Sequence, residues 1–168
     1  NGQPIDFGNG KGYIEKDWGT SFPESWIWIQ CNHFDNDDAS FMFSLAKIPW
    51  RGKYFIGFLG FLQNGDHFYT FATHNRSRIT NLEQTGNKLE IGILNKDFTI
   101  SAAISVNQFI DLKAPRLGIM DRYMKESVDS DLEIIMKDSK ENMILDLKGR
   151  RAGLEITGDI DTLKEVIT

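Results

Sequence analysis

Hydrophobic positions along this chain recur with a period of two far more often than with a helical period. Residues 98–106 show it most cleanly, with Phe98, Ile100, Ala102, Ile104 and Val106 alternating against Thr99, Ser101, Ala103 and Ser105. A strand turns successive side chains to opposite faces, so this run predicts an antiparallel strand with one polar face. Near the start, Trp26, Trp28, Gln30 and Asn32 fall on one side of a second run, and Ile27, Ile29, Cys31 and His33 on the other. Residues 41–48 predict another strand. Residues 54–62 predict one that is apolar on both faces and therefore covered on both. Gly57 and Gly60 within it read as kinks or bulges, which bend a strand around a barrel.

Turn chemistry punctuates these runs. Asn64-Gly65-Asp66 predicts a tight hairpin into residues 67–74, and Gly86-Asn87 a second one into residues 89–94. Asp35-Asn36-Asp37-Asp38, Pro49-Trp50-Arg51-Gly52 and Asn95-Lys96-Asp97 read as further turns. Residues 107–130 break the rhythm with Lys113-Ala114-Pro115-Arg116 and mixed charges, and predict a long connection with one helical turn. Short strands resume at 132–137, 143–148 and 152–157, and residues 161–167 predict a short helix capped by Asp161 or Thr162. Some nine or ten strands with almost no helical periodicity indicate an all-β protein, a barrel or a sandwich. The bending glycines and the two-sided strand favour an antiparallel β-barrel, closed or nearly closed, of about eight strands.

Composition narrows the picture. The chain has 168 residues, 40% of them hydrophobic and 26% charged, which fits one soluble domain over residues 1–168. Twelve Phe suit an apolar cavity and a solid core equally. A net charge of −5 lacks the basic face that a phosphate backbone demands, so nucleic acid is not the expected partner. Cys31 is the one cysteine, which excludes an intrachain disulfide and suits a reducing compartment; a cytoplasmic location with peripheral membrane contact is the expectation. No apolar run approaches the roughly 18 residues of a membrane-spanning helix. Beginning at Asn1 without Met, the sequence reads as an excised or processed piece.

Candidate chemistry is concentrated in Gly12-Tyr13-Ile14-Glu15-Lys16-Asp17-Trp18-Gly19 and the following Thr20-Ser21-Phe22-Pro23-Glu24-Ser25-Trp26-Ile27-Trp28-Ile29-Gln30. Read as a strand, the first run places Tyr13, Glu15 and Asp17 on one face. Acids and a phenol on one strand and indoles and amides on the next would suit a large, flat, mostly apolar molecule. The plainer readings are a Glu15 paired with Lys16 or Lys11, a turn at Asp17, a turn carboxylate at Glu24, and tryptophans packed in a core. His33, His67, His74 and Cys31 lack the spacing of a metal site, and Asp35-Asn36-Asp37-Asp38 lacks the Gly and terminal Glu of a calcium loop.

The same block, with Phe22-Pro23, Trp26-Ile27-Trp28-Ile29-Gln30 and Asn32-His33-Phe34, resembles the tocopherol cyclase family. The segments from Leu112-Lys113-Ala114-Pro115 to Glu126-Ser127, and Ala152-Gly153-Leu154-Glu155, are similar to it as well. The resemblance implies a lipocalin-like barrel forming the C-terminal half of a two-barrel protein related to carotenoid 1,2-hydratases, with the N-terminal barrel as its missing partner. It further implies acid-catalysed, redox-neutral ring closure of a prenylated phenol, with no metal, nucleotide or redox cofactor. On that reading Glu15 donates the proton, with Asp17 in reserve. Tyr13 bonds the donor or the substrate. Trp18, Trp26 and Trp28 line the pocket, and Gln30 and Asn32 orient the phenol. Such an acid would be held protonated by burial in an apolar cavity. Two alternatives stand beside it: a non-catalytic carrier of a prenylquinone or fatty acid, and a structural half whose aromatic block only docks the other barrel.

Overall fold

A computed structural model gives the fold, describing residues 2–8, 10–16, 18–19 and 21–167. Alternation at Trp26–Cys31 and Ala39–Trp50 forms β1 and β2, and Lys53–Asn64 and His67–Ala72 form β3 and β4. After a short 3-10 turn at Thr73–Asn75 come β5 at Arg78–Thr85, β6 at Lys88–Leu94 and β7 at Phe98–Val106. The chain finishes with β8 at Ile110–Arg116, β9 at Ile119–Asp138, β10 at Met143–Thr157 and helix α1 at Ile160–Leu163. All pairings between strands are antiparallel, in the order β4-β3-β2-β1-β10-β9-β7-β6-β5, with β8 on the free edge of the first part of β9.

One core organises the sheet. Ile27, Ile29 and Cys31 of β1 join Phe41, Phe43 and Leu45 of β2, Phe71 of β4, Ile79 and Leu82 of β5 and Ile134 of β9 in a single buried cluster. Strands at opposite ends of the sheet share that cluster, and Tyr69 of β4 meets Phe98 of β7 edge-on at 5.8 Å. The sheet is therefore rolled around its own inner face. It is not a closed barrel: β4 and β5, at its two ends, carry no mutual ladder, and the Thr73–Asn75 turn joins them instead. The interior is filled, with Phe41, Phe43, Phe71, Ile27 and Ile29 all fully buried. Between a solid core and an apolar cavity, the inward phenylalanines Phe41, Phe43 and Phe71 pack as a solid core, whereas Phe7, Phe55 and Phe68 are exposed.

Several local expectations change with the structure. Gly57 and Gly60 are not bulges, since the β2–β3 register runs unbroken from Ala39↔Asn64 to Trp50↔Lys53. A Cβ on Gly60 would stand 2.3 Å from Cε2 of Phe71, so the glycine makes room for a core ring. β3 is covered on its inner face only, and Phe55 and Leu59 are exposed on the other. Residues 107–130 are no connection but the β8–β9 hairpin and the first half of a long strand. The two strands expected at 143–148 and 152–157 are one, β10, with irregular pairing where Arg151 takes a left-handed φ of 53°. The helix cap is Asp159, which accepts from the Asp161 N–H at 2.9 Å, while the Thr162 hydroxyl donates to it. No helix among the described residues is long and apolar enough to cross a membrane.

Candidate functional site

The cleft lies on the outer face of the rolled sheet, not inside it. β1 sends Ile27, Ile29 and Cys31 inward, so Trp26 and Trp28 point outward, as the alternation predicts. Trp26 is nevertheless only 6% exposed, because Ala46 of β2, Ala114 of β8 and Met124 of β9 form a second, smaller apolar cluster with it. Phe22 packs edge-on against its indole at 5.8 Å.

The cover over this face comes from the segment before β1. Gly10, Gly12, Gly19 and Pro23 keep it from forming a strand, and it crosses the outer face as irregular backbone. Among the described residues its anchors are mostly side chains. The Lys11 ammonium donates to the Asp37 carbonyl, and Phe22 N–H donates to the Pro115 carbonyl at 3.4 Å. The Arg122 guanidinium donates to the Pro23 carbonyl, and Lys47 donates to Glu24 at 2.9 Å. That last contact holds the Glu24 carboxyl below its ordinary range, chiefly through the Lys47 hydrogen bond.

These elements border an open cleft of about 570 Å³ lined by Tyr13, Glu15, Trp18, Phe22, Trp26, Trp28 and Glu155, among others. Two carboxylates each hold an indole. Trp28 Nε1–H donates to Glu15 Oε2 at 3.0 Å, and the Tyr13 hydroxyl donates to the same oxygen at 2.6 Å. Trp26 Nε1–H donates to Glu155 Oε2 at 2.9 Å. The Tyr13 ring also leans on Trp28 at 6.3 Å. Buried or half-buried indoles and a phenol that find polar partners while their rings line an apolar wall are suited to hold a flat aromatic ligand.

Five of the sequence-predicted residues, Tyr13, Glu15, Trp18, Trp26 and Trp28, therefore meet in one cleft. The others do not. Gln30 stands on the same outer face but off the cleft, with its Nε2 buried and unpartnered among the described residues. Asn32 lies past the end of β1, in a polar groove with Lys11, Asp37 and Asp38. Asp17 lies outside the described residues. The predicted strand at Gly12–Asp17 is absent over its described residues: Tyr13 and Glu15 meet through their side chains, not through a pleat. Glu15 is exposed and Trp18 is 85% exposed, so the cleft is open to solvent here, in contrast to the enclosed acid expected from the sequence.

Glu155 is the residue that sequence reasoning missed. It stands 129 residues after Trp26 and reaches it only because β10 pairs with β1, with Trp28 directly opposite Glu155. Its signal was available: within β10 it alternates with Leu154 and Ile156, a lone acid on the face that the register gives to the tryptophans. Among the described residues no group of three His, Cys, Asp or Glu gathers as a metal site.

Comparison with known proteins places the chain in a family. The tocopherol cyclase-like family model matches residues 1–158. The chain is 26% identical, over 94% of its length, to a protein of Oryza sativa subsp. japonica named probable tocopherol cyclase, chloroplastic, and spans 36% of that relative. It is also 52% identical over 33 residues, 20% of its length, to the Zea mays protein named tocopherol cyclase, chloroplastic, of which that match covers 7%. No solved structure matches the chain. With the model covering nearly all of the sequence, the chain belongs to the tocopherol cyclase-like family.

Proposed function

We propose that the cleft catalyses ring closure of a prenylated phenol or hydroquinone to a chromanol by proton transfer from Glu15. The observation that carries the reading is the pair of carboxylates, Glu15 and Glu155, each bonded to one of two neighbouring indoles in a single cleft. Oε2 of Glu15 is taken by Tyr13 and Trp28, so the transferable proton belongs on Oε1. It adds to the less substituted carbon of the trisubstituted alkene. The positive charge appears on the tertiary carbon, the phenol oxygen bonds to that carbon, and the phenolic proton returns to Glu15. Every atom is retained, and no electrons enter or leave. Indole faces stabilise the passing cation as aromatic faces stabilise any cation, and the Glu155 carboxylate adds a negative charge beside it.

The chain spans 36% of the rice relative, and its cleft is open. Both facts support a two-part protein in which the remaining sequence, as a second lipocalin-like barrel, covers the outer face and closes the cleft. Exclusion of water would then strengthen the charge interactions around Glu15. The rolled antiparallel sheet is in keeping with such a barrel. A carrier for an apolar ligand would use the same aromatic walls but would not need the two carboxylates.

The test is Glu15→Gln in the full-length protein, assayed for chromanol formation from a prenylated hydroquinone. Retained binding with turnover lowered at least about a hundredfold, the ordinary scale of a lost general acid, supports the reading. Undiminished turnover removes Glu15 from the mechanism, and ligand binding without turnover in the unmodified protein favours the carrier.

A further inference from the structure

We propose that the β8–β9 hairpin is a membrane-interface anchor that seats its tip in a lipid surface bearing anionic headgroups. At the tip, Leu117 is 81% exposed, Ile119 64%, Met120 52% and Tyr123 63%. Scattered exposed apolar side chains are ordinary, but four within seven residues at the end of a projecting ribbon form a patch that water solvates poorly. The turn itself argues that apolarity matters there. Leu117 and Gly118 take φ values of 51° and 83°, a left-handed pair in which Asn-Gly is the ordinary choice and Leu is disfavoured.

Charge supplies the commitment to an anionic surface. In a chain of net charge −5, the outer part of the hairpin, residues 113–122, holds Lys113, Arg116 and Arg122 against Asp121, while at its root Asp111 stands opposite Lys125 and Glu126 follows it. Asp121 is engaged by Arg116 at 2.8 Å. A small apolar wedge ringed by cations and a tyrosine is the chemistry of an interfacial membrane contact, in which side chains reach the acyl boundary and cations meet phosphates.

The root of the hairpin is a wall of the cleft. Ala114 and Met124 pack on Trp26, and Pro115 accepts the Phe22 N–H. A seated tip would hold the cleft at the lipid surface, where an apolar ligand is dissolved. Whatever reaction the cleft performs, this placement stands on the hairpin alone.

The test is flotation of the full chain with phosphatidylcholine vesicles, with and without phosphatidylglycerol. Partition into the phosphatidylglycerol vesicles is expected, falling about tenfold or more in the Leu117→Glu/Ile119→Glu variant. Both side chains face solvent, so an unchanged melting curve shows that the variant is folded. A second readout is an environment-sensitive dye on a Met120→Cys variant. Cys31 is fully buried, and that burial holds its thiol above its ordinary pKa, so the dye attaches at the tip. Brighter, blue-shifted emission on adding the anionic vesicles is expected. Absence of flotation, flotation that the double variant does not reduce, or self-association that the double variant abolishes without vesicle binding would each overturn the proposal.

Discussion

Replacing Gly60 with Ala adds a single carbon to the inner face of β3, at a point where the core leaves no space for it. Gly60 stands in register between Phe43 of β2 and Phe71 of β4. The new Cβ would fall 2.3 Å from Cε2 and 2.8 Å from Cζ of Phe71, and 2.4 Å from the Met42 carbonyl oxygen. Ordinary carbon contacts are about 3.5–4.0 Å, so a shift of more than about 1 Å is required. Phe71 is fully buried against Phe41 at 6.0 Å and Phe43 at 6.4 Å, and the Met42 carbonyl belongs to the backbone of the β2–β3 pair. Neither can yield without disturbing the core. Overpacking of this kind costs about 1–3 kcal/mol, and two rigid neighbours place Gly60→Ala near the upper end. The smaller backbone entropy of Ala returns about 0.5–1 kcal/mol, leaving about 2 kcal/mol of destabilisation. For a domain of this size that lowers Tm by about 4–8 °C. Gly57→Ala is the control. Its Cβ meets the ends of Phe55 and Ile48, at 2.9 Å and 3.1 Å, on the outer face, where side chains can move. It should cost less than about 1 kcal/mol. Urea unfolding with an unchanged m-value measures both. Equal losses in the two variants, or a Gly60→Ala protein as stable as its parent, would refute the packing argument and restore the view of both glycines as bends.

Two further outcomes follow from contacts in and near the site. Trp28→Phe keeps an aromatic wall but removes the indole N–H that reaches Glu15, so turnover in the full-length protein should fall about tenfold with little change in stability; equal turnover would show that the bond does not position the acid. Hydrogen bonds from the Thr162 hydroxyl and the Asp161 N–H hold the Asp159 carboxyl below its ordinary value of 3.8. A depressed folded-state pKa contributes stability that is present above 3.8 and lost as pH falls through the lower folded value. Asp159→Asn keeps a capping oxygen but cannot titrate. Its stability should therefore fall less steeply than the parent's below about pH 4, and identical acid limbs would contradict the assignment.

What the sequence made legible is what local alternation controls. The two faces of β1, the strand at Phe98–Val106 and the hairpins at Gly65 and Gly86 follow from period-two patterns and turn residues. The β8–β9 hairpin did not, because Leu112, Leu117, Ile119, Met120 and Tyr123 are exposed apolar residues, and they erase the contrast that marks a half-buried strand. Glycine was ambiguous in the same way: at Gly60 a missing side chain serves a distant ring, Phe71, which no local window contains. The site divided along the same line. Tyr13, Glu15 and the tryptophans were visible as one unusual block, whereas Glu155 joins them through a ladder closed across 129 residues. The side of the sheet carrying the cleft was also beyond local reading, because alternation separates two faces without saying which one is rolled inward.

The proposed ring closure requires a carboxyl group of the cleft to protonate an alkene, and isotope uptake reads that step directly. Full-length protein would be supplied with a prenylated hydroquinone in deuterium oxide and the chromanol examined by mass spectrometry and NMR. One non-exchangeable deuterium per product is expected, on the ring carbon next to the new tertiary ether carbon, with formation of that product lost in Glu15→Gln. A chromanol formed without deuterium at that carbon, or formed at the same rate in Glu15→Gln, would contradict it.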